Sequence, residues 1–474
     1  MSREKALAKN TLIISFGTFL PKITTLVTIP ILTSHLTKLE YGTYDLIVTL
    51  ASLLLPIITL QIHSAAFRFL IDCRDNPTDR KRVITNIFVF IFPVSLVALI
   101  ALFFILYQIN ILTRIIVLLY FFVDIIILTM QQVLRGLSNN KLYSISSVVQ
   151  SFLNMLLVVI TVLFWELGLN GVLLSFTIAT GIGILVLFIK GKILREIDFS
   201  LVSLQSIKDM LKYSWPMIPN TLSTWVLSTS DRFVLTWFMG LEAVAVYAAA
   251  NKIPQLFAVV QGTFVFAWQE NASLAIADND VEKYYSHMFD NIFRILTGIM
   301  SLLIASTPIL FWLLIKGDYS ESYFQMPILF MGMFSSALSS FLGGIYIAHK
   351  RTKSVGITTL LAAVCNLIID FALVGMVGIF AASISTLVSY TLLFIYRMFD
   401  VKKFQKIKYQ YKMILFCIAM LVGMCVLCWF NIWYLNIINI VFGIAFAAFI
   451  NRGLLKNIWS SITNRKNKAK SGKK

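Results

Sequence analysis

The chain has 474 residues, of which 58% are hydrophobic and only 13% are charged, and its mean hydropathy is +0.84. A water-soluble domain does not combine so many apolar residues with so few charges, so the composition excludes a soluble enzyme or binding module. The formal net charge of +18 is explained by basic loops beside membrane spans and by their attraction to anionic lipid, so nucleic acid is not an expected partner.

Apolar runs follow one another from Thr11 to Asn451 with short polar turns between them. Each run is long enough to cross a bilayer as a helix, because about 20 residues at 1.5 Å per residue span a hydrocarbon core of roughly 30 Å. We therefore predict an all-α integral membrane protein with about fourteen transmembrane helices. The predicted spans are residues 11–33, 44–66, 84–107, 115–134, 143–165, 171–189, 214–238, 244–266, 291–315, 325–348, 354–374, 377–396, 413–430 and 435–451.

Basic residues are concentrated in alternate loops, which predicts the topology. Lysine and arginine near the ends of spans stay on the cytoplasmic side during insertion. The opposite loops carry only Lys38, Arg114 and Lys316. Both termini are therefore expected in the cytoplasm. The basic loops are residues 80–82, 190–212, 350–353 and 402–412 and the tail from residue 452.

The chain repeats itself at an offset of slightly more than two hundred residues. Residues 39–44, at the end of the first outer turn, are echoed by residues 241–247. A second echo is a lysine, then an asparagine, then a glycine that begins the next span: Lys141, Asn154 and Gly171, and Lys353, Asn366 and Gly378. The echoes predict two bundles of six helices in the same orientation, as in many transporters.

Four segments follow from this repeat. They are an N-terminal bundle over residues 1–200, a second bundle over 201–400, an additional helix pair over 401–452 and a basic cytoplasmic tail over 453–474. Substrate sites of such transporters lie near the bilayer midplane, between the repeats. Prolines at matching places of both halves predict hinges there, because proline removes a backbone donor and kinks a helix. The hinge candidates are Pro21, Pro30, Pro216 and Pro219.

Span seven and its neighbours carry a specific series of motifs. The series is Tyr213–Pro219, Ser228–Phe233, Met239–Glu242 and Val246–Ile253, with supporting stretches at Asn10–Tyr44, Lys316–Tyr319 and Gly343–Gly344. In order and spacing these motifs resemble the polysaccharide transporter family, the Wzx-type flippases of the multidrug/oligosaccharidyl-lipid/polysaccharide (MOP) superfamily. The resemblance covers effectively the whole chain and implies a MATE-like, MOP-like fold.

The resemblance also implies a function. Such proteins move an undecaprenyl-diphosphate-linked oligosaccharide from the inner to the outer leaflet of the bacterial cytoplasmic membrane, for O-antigen, capsule or exopolysaccharide assembly. It implies membrane lipids as partners, with a polysaccharide polymerase and a chain-length regulator as further candidates.

Ionisable residues inside spans are the candidates for contact with this cargo, because they cost several kcal/mol in lipid and usually face a polar cavity. Cations would bind the diphosphate. The cationic candidates are Lys22, Lys252, Arg232 and Arg68, with snorkelling to the interface as the alternative for Arg68. The candidates for coupling to H⁺ or Na⁺ are Asp124, Asp231 and Asp370, with pairing to a nearby cation as the alternative for Asp124 and Asp231 and contact with the interface for Asp370.

Two other functions remain open at this point. A drug or cation antiporter of the same superfamily would favour an acidic cavity. The charged residues deep inside the predicted spans are instead mainly cationic, namely Lys22, Arg232 and Lys252. A membrane-embedded polysaccharide polymerase or ligase would need a large outer loop, which the sequence lacks. We also expect no cofactor and no metal site, because there is no glycine-rich phosphate loop and the C-x-x-C pair Cys425 and Cys428 has no further cysteine or histidine near it.

Overall fold

The protein is helical throughout the part that the structure describes. The computed structural model describes residues 3–276 and 278–456, and no β-strand occurs within them, so the all-α prediction is confirmed. Most of the predicted basic tail, residues 457–474, lies outside the described residues. The helices are α1 (Arg3–His35), α2 (Lys38–Ile58), α3 (Ile62–Cys73), α4 (Pro77–Ile105), α5 (Ile111–Gly136), α6 (Asn140–Val158), α7 (Gly168–Gly191), α8 (Leu204–Ser214), α9 (Ile218–Thr229), α10 (Asp231–Met239), α11 (Leu241–Ala275), α12 (Val281–Ala305), α13 (Thr307–Leu314), α14 (Ser320–Ala348), α15 (Thr352–Val377), α16 (Phe380–Asp400), α17 (Tyr411–Trp429) and α18 (Trp433–Ile450).

Eleven of these elements, counted over the described ranges, are long and apolar enough to cross a membrane. They are α2, α4, α5, α6 with the π-helical turn Val159–Phe164, α7, α12, α14, α15, α16 with the turn Val401–Lys403, α17 and α18. The three remaining predicted spans, 11–33, 214–238 and 244–266, lie in α1, in α8 to α10 and in α11. The protein is therefore a multi-pass membrane protein.

Three predicted spans are not continuous helices. Span 44–66 is interrupted between Ile58 and Ile62, span 214–238 at a 3-10 turn before Ile218 and again at Ser230, and span 291–315 at Ser306. The prediction of one continuous helix was wrong for spans 44–66 and 291–315, whereas the break before Ile218 coincides with Pro216 and Pro219, two of the predicted hinge prolines. Hydropathy is an average over a window and does not register a local change of backbone direction.

The chain forms two compact units. Unit 1 comprises Met1–Ala249 together with Leu314–Gly317. Unit 2 comprises Ala250–Leu313 and Asp318–Lys474, of which the structure describes residues up to 456. The division into two six-helix bundles and a helix pair stays a prediction.

In unit 1 the two echoed segments, residues 39–44 and 241–247, pack directly on each other. A capping box begins α2, in which the Glu40 backbone N–H donates to Thr37 Oγ1 at 3.2 Å and the Thr37 N–H donates to Glu40 Oε2 at 3.0 Å. One turn later, a Cβ on Gly42 would lie 1.9 Å from the Leu241 carbonyl oxygen at the start of α11. The sequence echo therefore marks a place where two helix beginnings approach so closely that only glycine fits.

The glycines of the second echo lie at the beginnings of two helices. Gly171 lies in the first turn of α7, where its carbonyl accepts hydrogen bonds from Thr161 Oγ1 at 3.0 Å and Ser175 Oγ at 2.7 Å. Gly378, with a φ of +59°, ends α15 shortly before α16 begins. The equivalence of the two glycines in a repeat stays a prediction.

Unit 2 is built around α14, and 78% of the most apolar stretch of this helix is buried inside the protein. Trp268 of α11 packs on this helix: its indole stacks on Phe341 with ring centroids 4.3 Å apart, and Nε1 donates to the Phe341 carbonyl at 2.8 Å. A Cβ on Gly344 would lie 2.5 Å from the same indole. A central, almost fully buried helix of this kind needs small residues where a large ring crosses it.

Candidate functional site

Two of the interrupted spans meet inside unit 1. Leu60 and Gln61, between α2 and α3, adopt left-handed φ values of 47° and 59°. Ser214 Oγ, at the end of α8, donates to the Leu60 carbonyl at 2.8 Å, and Gln61 Nε2 donates to Thr221 Oγ1 of α9 at 2.8 Å. In a membrane an interrupted helix is tolerated only where other groups satisfy its backbone. Here Ser214 satisfies the Leu60 carbonyl, and the Gln61–Thr221 bond joins the two interrupted spans through their side chains.

The contact continues along both elements as an antiparallel ladder of polar pairs. Trp225 Nε1 of α9 donates to Ser52 Oγ of α2 at 2.9 Å. Two turns further, Arg232 Nε of α10 lies 2.5 Å from Asp45 Oδ2 of α2, and the two side chains are only 3% and 4% exposed. We call this series, from Gln61–Thr221 to Asp45–Arg232, the polar ladder.

The environment of Arg232 explains how a buried charge is held there. Its guanidinium lies over the Tyr247 ring, 5.5 Å from the centroid, and the Tyr247 hydroxyl donates to Asp231 Oδ2 at 2.6 Å. Two carboxylates, one guanidinium and one aromatic face therefore share a small buried volume. Because each charge has a close partner, the cluster lowers the desolvation cost that an isolated ion would incur.

A second polar surface lies on α9. Asn220, Thr224 and Ser228 are exposed and, at a spacing of four residues, share one face of the helix. The hydroxyls of Thr224 and Ser228 donate back to the carbonyls of Asn220 and Thr224 at 3.0 and 2.8 Å. Such a surface offers hydroxyl and amide groups within a predicted span, which suits the hydroxyl-rich surface of a sugar.

The predicted cations are placed differently from one another. Lys22 is exposed on α1 and belongs to unit 1, whereas Lys252 is half-buried on α11 and belongs to unit 2. Arg68 is exposed near the end of α3 and forms an ion pair with Asp72, one turn away. Arg232 is bound in the polar ladder. The structure therefore joins Arg232 to Asp45, and the role of all four as diphosphate ligands stays a prediction.

The predicted ion-coupling carboxylates lie within helices of the membrane region. Asp124 is half-buried on α5, and Asp231 is buried and accepts the Tyr247 hydrogen bond. Asp370 is buried on α15 one turn after Asn366, whose Nδ2 donates to Ser385 Oγ at 3.3 Å. Within residues 3–276 and 278–456, no group of three or more histidine, cysteine, aspartate or glutamate side chains could hold a metal ion.

The predicted hinge prolines fall into two kinds. Pro21 and Pro30 lie inside the continuous helix α1, where their carbonyls accept hydrogen bonds from Thr24 Oγ1 and Ser34 Oγ, both at 2.7 Å. Pro216 lies in the 3-10 turn Trp215–Met217, and Pro219 lies in the first turn of α9. Only the second pair coincides with an interruption of the helix, and movement at any of the four stays a prediction.

Sequence reasoning missed the partners in the ladder. Asp45 lies near the end of its predicted span, where an interfacial position explains an acidic residue equally well. Ser52, Gln61 and Trp225 are uncharged, so the search for ionisable residues inside spans did not include them. A signal was nevertheless present, since an intramembrane arginine such as Arg232 calls for an acidic partner in a neighbouring span.

Interrupted, proline-containing helices with polar groups inside the spans recur in transporter folds. The structure resembles a lipid II flippase MurJ in an inward closed conformation, with a TM-score of 0.67 and 14% identity over 94% of this chain and 99% of that one. It also resembles an inward-facing MATE family multidrug resistance transporter of the MOP superfamily, with a TM-score of 0.62 and 15% identity over 83% of this chain and 95% of that one.

The family is identified by comparing the sequence with models of known protein families. Residues 7–268 match the model of the polysaccharide biosynthesis protein family, which is more than half of the chain, so the protein belongs to this family. The resemblance predicted from the motifs is thereby confirmed, and so is the MOP-type fold. Comparison of the sequence with curated proteins gives no match.

Proposed function

We propose that the protein is a flippase that moves undecaprenyl-diphosphate-linked oligosaccharide repeat units from the inner to the outer leaflet of the bacterial cytoplasmic membrane. The product would enter O-antigen, capsule or exopolysaccharide assembly, in which a polymerase and a chain-length regulator are candidate partners. The observation that carries the proposal is the combination of a polysaccharide biosynthesis family sequence with a fold that matches a lipid II flippase over 94% of the chain.

The polar groups of the spans support this cargo. A diphosphate and several sugars cannot cross about 30 Å of hydrocarbon unless the protein replaces their hydration. The α9 face of Asn220, Thr224 and Ser228 supplies groups for sugars, while Lys22 and Lys252 are the proposed diphosphate ligands. Movement would follow alternating access, with no covalent chemistry on the cargo, so we propose that the protein is not an enzyme.

The orientation and the energy source are part of the same proposal. The basic loops favour both termini in the cytoplasm. The buried carboxylates Asp231 and Asp370, together with the half-buried Asp124, are the proposed sites at which H⁺ or Na⁺ would couple to transport. A membrane carboxylate that alternates between bound and free cation is the usual device for such coupling.

Deletion of the gene should abolish surface polysaccharide and leave lipid-linked repeat units on the inner leaflet. The measurement is immunoblotting of surface polysaccharide together with extraction of the lipid-linked intermediates. A deletion strain that makes normal polysaccharide without a redundant transporter would contradict the flippase function. Export of cationic dyes by the purified protein in vesicles would instead support an antiporter, the second function suggested by the MATE-like fold.

Replacing Lys22 or Lys252 by glutamine should reduce transport strongly, whereas replacement by arginine should retain part of it. Loss of one cation from a partly dehydrated site weakens a charge-assisted hydrogen bond by roughly 1.5–3 kcal/mol, or about tenfold to a hundredfold in affinity. The assay is restoration of surface polysaccharide in the deletion strain, with immunoblots to confirm equal membrane levels. Full activity of both glutamine variants would remove these lysines from the diphosphate site.

A further inference from the structure

Arg135 occupies an unusual environment at the end of α5 in unit 1. Its guanidinium contacts two aromatic rings from neighbouring helices, 5.0 Å from the centroid of Phe67 in α3 and 5.7 Å from that of Tyr143 in α6. The side chain is half-buried rather than extended into solvent. Cation–π contacts with two rings stabilise the guanidinium and leave its N–H groups available for hydrogen bonding.

The charge of Arg135 has little compensation within the protein. Its hydrogen bond runs from Nη1 to Gln132 Oε1 at 3.3 Å, a long contact with a neutral amide. Among residues 3–276 and 278–456, no carboxylate lies within ion-pair distance of it. A partly desolvated guanidinium with one weak acceptor has several unused N–H donors.

Two other arginines of this protein have stronger acceptors than Arg135. Arg232 has the carboxylate of Asp45 at 2.5 Å. Arg397 donates five hydrogen bonds of 2.9–3.2 Å to neutral oxygens, namely the Ser339 and Val355 carbonyls and the hydroxyls of Thr358 and Thr359. Arg135 has neither arrangement.

Capping of the α5 carboxyl end does not explain Arg135 either. The guanidinium of Arg74 already fulfils that role, since its Nε and Nη2 donate to the Gly136 carbonyl at 3.2 and 3.0 Å. A second cation one residue away therefore adds positive potential to a helix end that is already neutralised. Gln131 and Ser147, linked by a hydrogen bond of 3.4 Å, are half-buried nearby and supply further polar groups.

We propose that Arg135, with Phe67 and Tyr143 as its aromatic support, binds a phosphate group carried by a lipid. A planar guanidinium donates two parallel hydrogen bonds to a phosphate. The phosphate also supplies the negative charge that no nearby carboxylate provides for Arg135. The basic loops place this end of α5 on the cytoplasmic side, where both the diphosphate of a lipid-linked sugar and the headgroup of an anionic phospholipid are available. The first of these ligands rests on the proposed flippase function, and the second does not.

The test is equilibrium binding to the purified full-length protein in a neutral detergent. The probes are farnesyl diphosphate and a short-chain phosphatidylglycerol, with a short-chain phosphatidylcholine as the zwitterionic reference. We expect Arg135→Gln to raise the Kd for at least one anionic probe by about tenfold to a hundredfold, with a smaller increase for Arg135→Lys, which keeps the charge but loses the planar fork. Weakening for farnesyl diphosphate alone would assign the diphosphate cargo, and weakening for phosphatidylglycerol alone would assign a resident lipid.

Two control variants separate binding from folding. Lys141→Gln removes an exposed cation from the start of α6 and should leave both Kd values unchanged. Arg397→Gln removes a structural guanidinium and should lower the thermal unfolding midpoint without changing probe affinity. Unchanged Kd values for both anionic probes in Arg135→Gln would overturn the proposal, and because the flippase function is judged by surface polysaccharide, that function would stand independently.

Discussion

Arg232→Gln is expected to destabilise the protein by about 3–5 kcal/mol, because it leaves the carboxylate of Asp45 buried without its counter-ion. The Asp45 side chain is only 4% exposed, so water cannot replace the lost partner. Asp45→Asn should cost less, because the Tyr247 ring and the Asp231 carboxylate remain beside the guanidinium. Thermal unfolding of the detergent-solubilised protein, followed by tryptophan fluorescence, gives the measurement.

The double variant Asp45→Asn with Arg232→Gln distinguishes an ion pair from simple packing. If the two charges act as a pair, the double variant should be clearly more stable than either single variant, since two neutral amides can hydrogen-bond across the same gap. Arg68→Gln is the matched control, because its ion pair with Asp72 is exposed and should contribute little. Strictly additive losses in the double variant would show that the pair has no coupling energy.

Gly42→Ala is expected to destabilise unit 1 by about 3 kcal/mol, at the upper end of the cost of overpacking. The new methyl group would lie 1.9 Å from the Leu241 carbonyl oxygen and 2.8 Å from its carbon, and both are main-chain atoms that cannot rotate away. The helix beginnings of α2 and α11 would therefore have to separate. The unfolding midpoint and the fraction of monodisperse protein after solubilisation report the change.

Gly181→Ala provides the comparison within the same unit. Gly181 lies in the middle of α7, and no atom lies within 4 Å of a Cβ built there. Alanine should therefore be neutral or stabilise by about 0.5–1 kcal/mol through its better helix propensity. Equal effects of the two substitutions would mean that Gly42 has no steric role and that the close approach of the two helix beginnings tolerates a side chain.

Much of the architecture could be predicted before any coordinates. The all-α fold, the positions of the fourteen apolar segments and the family all depend on composition and local order along the chain, which sequence reports directly. The interruption at Leu60–Gln61 was not predicted, because neither residue is a proline or a glycine. The interruption at Ser306 did have a local signal, Pro308 in the first turn of α13, which the sequence reasoning did not use. The interruption near Pro216 carried a local signal and was predicted as a hinge.

The sequence by itself determined that this protein lies in a membrane, since runs of about twenty apolar residues have no other stable environment. It also determined which charges had to be explained, because ionisable residues are rare and costly inside spans. Only the tertiary structure decided which of those charges are already neutralised. Arg232 is paired with Asp45, 187 residues away in the chain, and Arg135 contacts rings from two other helices. Partners so distant in sequence are chosen by helix packing, and packing depends on three-dimensional shape that no local pattern of residues encodes.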